Sequence, residues 1–336
     1  MVYSFEMVQH ANIRYRKAID RLGFCELFSM LRVLFPEPEI RTETLGGISF
    51  LTFECRELTG PELSWLRRHS SVGLMALREG DLLRPLEAVS PRQLAEDVPE
   101  ILKYKGKTGV PFTRMMLNTA LSLSPWALSR QPLTVLDPLC GKATTLFCAA
   151  EYGMNAIGLD TDRRALKEAE DYFTRYLKLN LLKHRVRRHS ETVRGQAVPV
   201  TTVTWAPTKD SWDSGDTPFL ALACADTEAA SALTRKDRAH LLIADLPYGI
   251  QHAPRAGCRP ERFTSLLRRA LPAWKQSLMP GGVMALSFNT LTLPTSDVLS
   301  ALREAGMTPA EGEPYSNLTH EVEQAVVRNA VFAVNE

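Results

Sequence analysis

Between Leu133 and Phe288 the chain alternates short, continuous apolar runs with longer stretches of helical period. This alternation constrains the fold more than any other feature. The runs are Leu133–Asp137, Ala156–Asp160, Phe219–Ala223, Leu241–Asp245 and Val283–Phe288. Helices are expected at Thr144–Tyr152, Arg163–Leu182, Glu228–Leu233, Arg262–Ser277 and Thr295–Glu304. Strands that are apolar on both faces and separated by helices build a mostly parallel sheet covered on both sides. The final run, Gln324–Val334, has no helical period and is expected to close the sheet as an antiparallel strand. Residues 184–218, with Pro199, Pro207 and Pro218, interrupt the alternation and read as an insertion.

The first 87 residues follow another pattern. An apolar start (Val2–Val8) precedes an amphipathic stretch, Ala18–Phe35, and a strand-like segment, Glu39–Thr44. Gly46-Gly47 signals a hairpin before Ile48–Phe53. Thr59-Gly-Pro-Glu62 opens a short helix, and Val72–Leu77 is a further strand. The order β-α-β-β-α-β predicts a small ferredoxin-like α+β domain over 1–87. A linker rich in Pro, Gly and charge follows at 88–110, and the α/β domain occupies 111–336.

At 336 residues, two domains are the natural expectation. A content of 45% hydrophobic and 23% charged residues fits a globular protein with a sizeable core. No apolar stretch is long enough for a bilayer, and the first residues lack the layout of a signal peptide, so a cytoplasmic, membrane-free protein is expected. The six cysteines are scattered without a Cys-x-x-Cys pair, which argues against zinc or a disulfide framework, and no metal is expected. Net charge is only +2, but basic residues concentrate between Arg175 and Arg194 and between Arg255 and Lys275. These are either solvated faces or a phosphate-contacting surface beside the active edge.

Acids are expected to close four successive strands, at Asp137, Asp160, Asp226 and Asp245. Ligands of open α/β sheets bind at this strand edge. Leu133-Thr-Val-Leu-Asp137-Pro-Leu139-Cys140-Gly141-Lys-Ala143-Thr144-Thr145 reads as strand, tight turn and helix start, whose amides can receive polar groups. Asp160, 19 residues after Gly141, stands where a carboxylate reaches ribose hydroxyls in nucleotide-binding folds. Thr161 or Asp162 is expected to cap the next helix. Asp245-Leu246-Pro247-Tyr248-Gly249 sets a carboxylate beside an aromatic ring, an arrangement suited to a planar substrate with an exocyclic amine.

The segment Asp137–Thr145 resembles motif I of class I S-adenosylmethionine-dependent methyltransferases, and Asp245–Gly249 resembles their amino-methylating Asp/Asn-Pro-Pro-Tyr motif. The pair is most similar to the tRNA guanine-N2-methyltransferase family, whose enzymes carry RNA-binding THUMP and ferredoxin-like modules before the catalytic domain. The resemblance implies a Rossmann-like catalytic domain with a seven-stranded sheet and S-adenosyl-L-methionine as cofactor. It also implies an RNA partner, tRNA first among RNAs, and methylation at guanine N2. Asp137, Leu139, Cys140, Gly141, Ala143 and Thr144 would hold the methionine end of the cofactor. Asp160 and Thr161 would lie at the ribose, Asp226 at the adenine, and Thr113 would contact the cofactor from the preceding helix. Asp245, Leu246, Pro247 and Tyr248 would form the acceptor site. Ala143 stands where the family has a second glycine, and its methyl is expected to crowd the cofactor. Leu246 stands where the family has the first proline, which is expected to loosen the turn.

Two readings compete. Adenine-N6 methylation of DNA or RNA uses the same motif type, and a non-catalytic RNA-binding protein could keep the fold. A cytosine-C5 enzyme would need a cysteine where Pro247-Tyr248 stands, and a nicotinamide enzyme would need the absent Gly-x-Gly-x-x-Gly.

Overall fold

The computed structural model describes residues 1–8, 13–104, 107–247, 255–256, 259–260, 263–323 and 325–336. The chain opens with β1 (Val2–Met7), α1 (Ile13–Arg32), β2 (Ile40–Leu45), β3 (Ile48–Glu54), α2 (Gly60–Leu66), β4 (Val72–Glu79) and β5 (Leu82–Pro85). These strands form one antiparallel sheet in the order β2-β3-β1-β4-β5, the ferredoxin-like arrangement with an added edge strand. Local chemistry sets the turns. Gly46 and Gly47 both take positive φ, as a two-residue hairpin loop with matching twist requires. Thr59 and Glu62 close a capping box on α2.

The segment expected as a linker packs against the body of the protein. Within it α3 (Val98–Ile101) buries Val98, and the Gln93 amide donates to Glu151 O at 2.7 Å. Glu151, fully buried, receives Arg92 and, at 3.0 Å, the Arg114 Nε. A buried carboxylate with two guanidinium partners avoids the penalty of an unpaired charge and ties the segment to its neighbours.

The remaining elements are α4 (Val110–Leu123), β6 (Thr134–Asp137), α5 (Thr144–Glu151), β7 (Asn155–Asp160), α6 (Arg163–Leu179), β8 (His184–Val193), β9 (Gln196–Trp205), α7 (Lys209–Ser214), β10 (Phe219–Cys224), α8 (Ala230–Leu233), β11 (Ala239–Asp245), the two-residue strands β12 (Arg255–Ala256) and β13 (Arg259–Pro260), α9 (Phe263–Ser277), β14 (Leu278–Asn289), α10 (Thr295–Glu304), β15 (Thr308–Pro309), β16 (His320–Glu323) and β17 (Val326–Val334). Their main sheet runs β15-β17-β14-β11-β6-β7-β10-β9-β8. From β14 to β10 the strands are parallel, and β17 pairs antiparallel with β14. This is a Rossmann-like, mostly parallel sheet with a reversed terminal strand.

Two apolar layers sandwich it. On one face α4, α5 and α6 pack through Phe112, Leu117, Phe147 and Phe173, and this core continues into the first sheet through α1 and Trp65. On the other face α9 and α10 pack through Leu271, Trp274, Val298 and Leu302. A buried polar seam joins α1 to α4, where Asn118 Nδ2 donates to Glu26 Oε1 at 2.7 Å. Among the described residues, no helix is long and apolar enough to cross a membrane, and no group of three His, Cys, Asp or Glu side chains is placed to hold a metal ion.

Residues 184–218 are more ordered than an irregular insertion. β8 and β9 form a long antiparallel hairpin that extends the sheet beyond β10. Its loop is Arg194-Gly195, both at positive φ. Pro199 sits one residue past the last pairing with β10, where β9 has a single neighbour.

Candidate active site

β6, β7 and β11 lie side by side and each ends in an aspartate. Asp137, Asp160 and Asp245 therefore converge on one cavity of about 420 Å³ at the C-terminal edge of the sheet. Of the expected site residues, Thr113, Leu139, Cys140, Gly141, Thr144, Leu246 and Pro247 line it too. Tyr248 lies outside the described residues.

The turn after β6 is held by its neighbours. The Cys140 amide donates to Leu159 O at 2.9 Å, and the Gly141 amide to Asp160 Oδ2 at 2.8 Å. The other Asp160 oxygen receives the Asp162 amide at 2.7 Å, and Asp162 in turn caps α6. Cys140 is packed against Gly158, where any Cβ would come within 2.7 Å of its sulfur. Burial pushes this thiol up, away from nucleophilic use. Gly141 takes a φ of +49°, and a Cβ added there would meet no protein atom within 4 Å. Its backbone is thus open to close approach by a ligand.

Ala143 is fully buried and is not among the residues that line the cavity. It takes φ 68°, ψ 28°, the left-handed region. There an L-residue costs roughly 1–2 kcal/mol, which is the physical reason for a glycine preference. At Leu246 the amide donates to Ser287 O at 2.8 Å, a bond that proline could not make, and the side chain is buried.

Electrostatics give the cavity its character. Asp137 is 3% exposed, and burial raises its carboxyl to about 7, opposed by hydrogen bonds from Thr145 and the Leu139 amide. Asp160 and Asp245 add repulsion in the same direction. The only cation on the wall among the described residues, Lys142, is paired with Glu168 at 2.5 Å. An acid-lined cavity without an unpaired cation suits a cationic ligand and repels a pyrophosphate.

Asp245 is held from three sides. Ser287 on β14 donates to Oδ1, Thr108 donates to Oδ2, and Arg328 Nη2 on β17 lies 3.6 Å from Oδ2. Sequence reasoning missed Thr108, Ser287, Arg328 and Tyr104. The Tyr104 hydroxyl pairs with Thr144 Oγ1 at 2.9 Å, Lys142 lies 5.2 Å over its ring, and burial pushes its phenol up to about 12. One signal was available: a lone arginine in the apolar strand around residues 326–334 must have a partner.

Thr161 and Asp226 fall elsewhere. They line a second cavity of about 450 Å³ beside the hairpin loop. Asp226 accepts the Glu228 amide at 2.9 Å and lies 3.6 Å from Arg269, so its local role is to cap a 3₁₀ turn. Part of the basic runs is matched by acids. Lys183 pairs with Asp213, Arg188 with Glu170, Arg194 with Glu228, Arg268 with Glu304 and Arg269 with Glu228. The exposed Arg185 and Arg187 have no carboxylate partner among the described residues. They sit near the start of β8, whereas its other end, Val193, joins the second cavity beside Thr161. A phosphate surface there would lie away from the active edge.

Asp160→Ala should loosen the turn by removing the acceptor for two amides. The expected loss is about 2 kcal/mol in chemical denaturation, and an unchanged midpoint would mean that the turn does not depend on this carboxylate.

No protein-family profile matches the chain, and no curated protein matches it. Solved structures are similar to it at low identity. TrmN from Thermus thermophilus is 18% identical, with 90% of this chain and 64% of that chain covered and a TM-score of 0.41. A precorrin-6y C5,15-methyltransferase from Geobacter metallireducens is 14% identical over 72% of this chain and 96% of that chain, with a TM-score of 0.39. The 16S rRNA N2 methyltransferase RsmC from T. thermophilus, solved with AdoMet and guanosine, is 14% identical over 94% of this chain and 62% of that chain, with a TM-score of 0.38. The chain thus spans 64% of TrmN's length and 62% of RsmC's.

Proposed function

We propose that this protein is an S-adenosylmethionine-dependent methyltransferase acting on an exocyclic amine of a nucleobase, with guanine N2 in RNA as the target and tRNA as the first RNA to test. The observation that carries this reading is the convergence of Asp137, Asp160 and Asp245 on one acid-lined cavity. The residues present fit the cofactor. A buried carboxyl at Asp137 seeks a cation, Asp160 offers acceptor oxygens for hydroxyls, and Gly141 leaves room for close backbone contact. When bound, the cofactor would supply an electrophilic methyl group on a cationic sulfur.

The protein's own contribution is placement. Asp137 would hold the positive end of the cofactor and Asp160 its ribose. Asp245 would accept an N–H from the substrate amine and so fix the direction of its lone pair. A carboxylate is acceptor-only, and the pairing edge of guanine offers two adjacent donors, N1–H and the N2 amine. Adenine offers one donor beside an acceptor nitrogen, which the second carboxylate oxygen would repel. This chemistry favours guanine over adenine. Tyr248 would stack on the base, and a target in a duplex must be flipped out.

Transcripts in which inosine replaces guanosine lack the 2-amino group and nothing else. They should accept no methyl group in a labelled-cofactor assay, while guanosine transcripts should. Equal labelling of both would move the acceptor away from N2.

A further inference from the structure

We infer that Thr108, Ser287 and Arg328 form a positioning clamp that fixes the Asp245 carboxylate in the plane and rotamer in which it receives the acceptor. This rests on the reading of Asp245 as the group that meets the substrate amine. Ser287 stands opposite Asp245 in the parallel register of β11 and β14. It is fully buried in the apolar sequence Val283-Met-Ala-Leu-Ser-Phe288, where packing alone has no use for a hydroxyl. Its Oγ donates to Asp245 Oδ1, and its backbone carbonyl holds the Leu246 amide at 2.8 Å. One residue thus holds both the Asp245 carboxylate and the Leu246 amide.

Thr108 approaches from the other side. It precedes Gly109, which caps α4, and it donates to Asp245 Oδ2 across a sequence separation of 137. Arg328 is only 3% exposed, with its guanidinium 5.3 Å over the Phe112 ring and Nη2 3.6 Å from Oδ2. At that distance it acts as a charge partner, and the two hydroxyls set direction. Three groups, from the loop before α4 and from β14 and β17, therefore meet on one carboxylate. The Asp245 side chain keeps 25% of its surface exposed and lines the cavity. Each carboxylate oxygen has two lone pairs, so the clamp takes one on each and leaves the other for a ligand. A group held in this way needs no reorientation when the substrate arrives. Thr108 also couples the 88–107 segment, which carries Tyr104, to the acceptor site.

The test pairs near-isosteric changes. Thr108→Val removes the hydroxyl and keeps the shape, Thr108→Ser keeps the hydroxyl, and Ser287→Ala removes the second donor. Thr108→Val and Ser287→Ala should each lower kcat for methyl transfer about ten- to a hundredfold, with KM for RNA and the cofactor Kd within about twofold of wild type. Thr108→Ser should restore most of the loss. A purely structural role would lower Tm and leave kcat per folded molecule unchanged, and that result would overturn the clamp. A second readout does not need activity: the ¹³C carboxyl resonance of Asp245, assigned with Asp245→Asn. The clamp requires this resonance to move in Thr108→Val and Ser287→Ala and to stay near its wild-type position in Thr108→Ser. An unmoved resonance in the first two overturns the clamp. A wild-type protein inactive on RNA would overturn the methyl-acceptor reading alone.

Discussion

Asp245→Asn should abolish methyl transfer, lowering kcat by roughly a hundredfold or more, while cofactor affinity stays within a few-fold. The asymmetry follows from position. Asp245 ends β11 and is held by Ser287, Thr108 and Arg328, whereas the turn proposed to hold the cofactor hangs on β6 and on Asp160. Asparagine keeps the size but puts an N–H₂ where one hydroxyl donates and the amine would donate, so two donors face each other. Single-turnover kinetics and calorimetry on the same preparation separate the two effects. A large loss of cofactor binding with a matching loss of rate would move Asp245 to the cofactor side of the cavity.

The second large effect is a pH dependence at Asp137. Burial raises its carboxyl to about 7, so the native state keeps a proton that the unfolded chain, at about 4, has already lost. Between those values the native state binds more protons, and stability falls as pH rises through the window. At full ionisation the penalty is on the order of 4 kcal/mol. Asp137→Asn should therefore raise the Tm of the ligand-free protein more at pH 8 than at pH 5. The sign reverses for a cationic ligand, which needs the ionised form. Cofactor affinity of the wild type should weaken as pH drops below about 7, by up to about tenfold per unit. In Asp137→Asn it should be lower by about ten- to a hundredfold at pH 8 and nearly flat with pH. Calorimetry at several pH values tests both. A wild-type affinity independent of pH would mean that Asp137 does not face the positive end of the cofactor.

Much of this architecture was legible in the sequence because its signals are local. Continuous apolar runs ending in aspartate gave β6, β7 and β11 and their shared edge, and α10 falls on the residues expected for it. Gly46-Gly47 and the Thr59–Glu62 box marked their turns. The hairpin of β8 and β9 read only as an insertion, because its prolines and polar residues interrupt the strand–helix alternation and Pro199 is accommodated where β9 has a single neighbour. The 88–110 segment read as a tether because its anchors, Arg92 and Arg114 on Glu151, are contacts between distant residues. The same holds for the surroundings of Asp245. Thr108 and Ser287 are ordinary residues until the sheet register and the start of α4 bring them to one carboxylate. The left-handed backbone of Ala143 and the amide bond of Leu246 are likewise features that motif comparison does not contain.

The most direct test of the central claim is methyl transfer from labelled S-adenosylmethionine to total tRNA and rRNA, with products resolved by nucleoside mass spectrometry and Asp245→Asn as the control. The account predicts N2-methylguanosine from the wild-type protein and none from the variant. N6-methyladenosine in its place, or equal product from the variant, would contradict it.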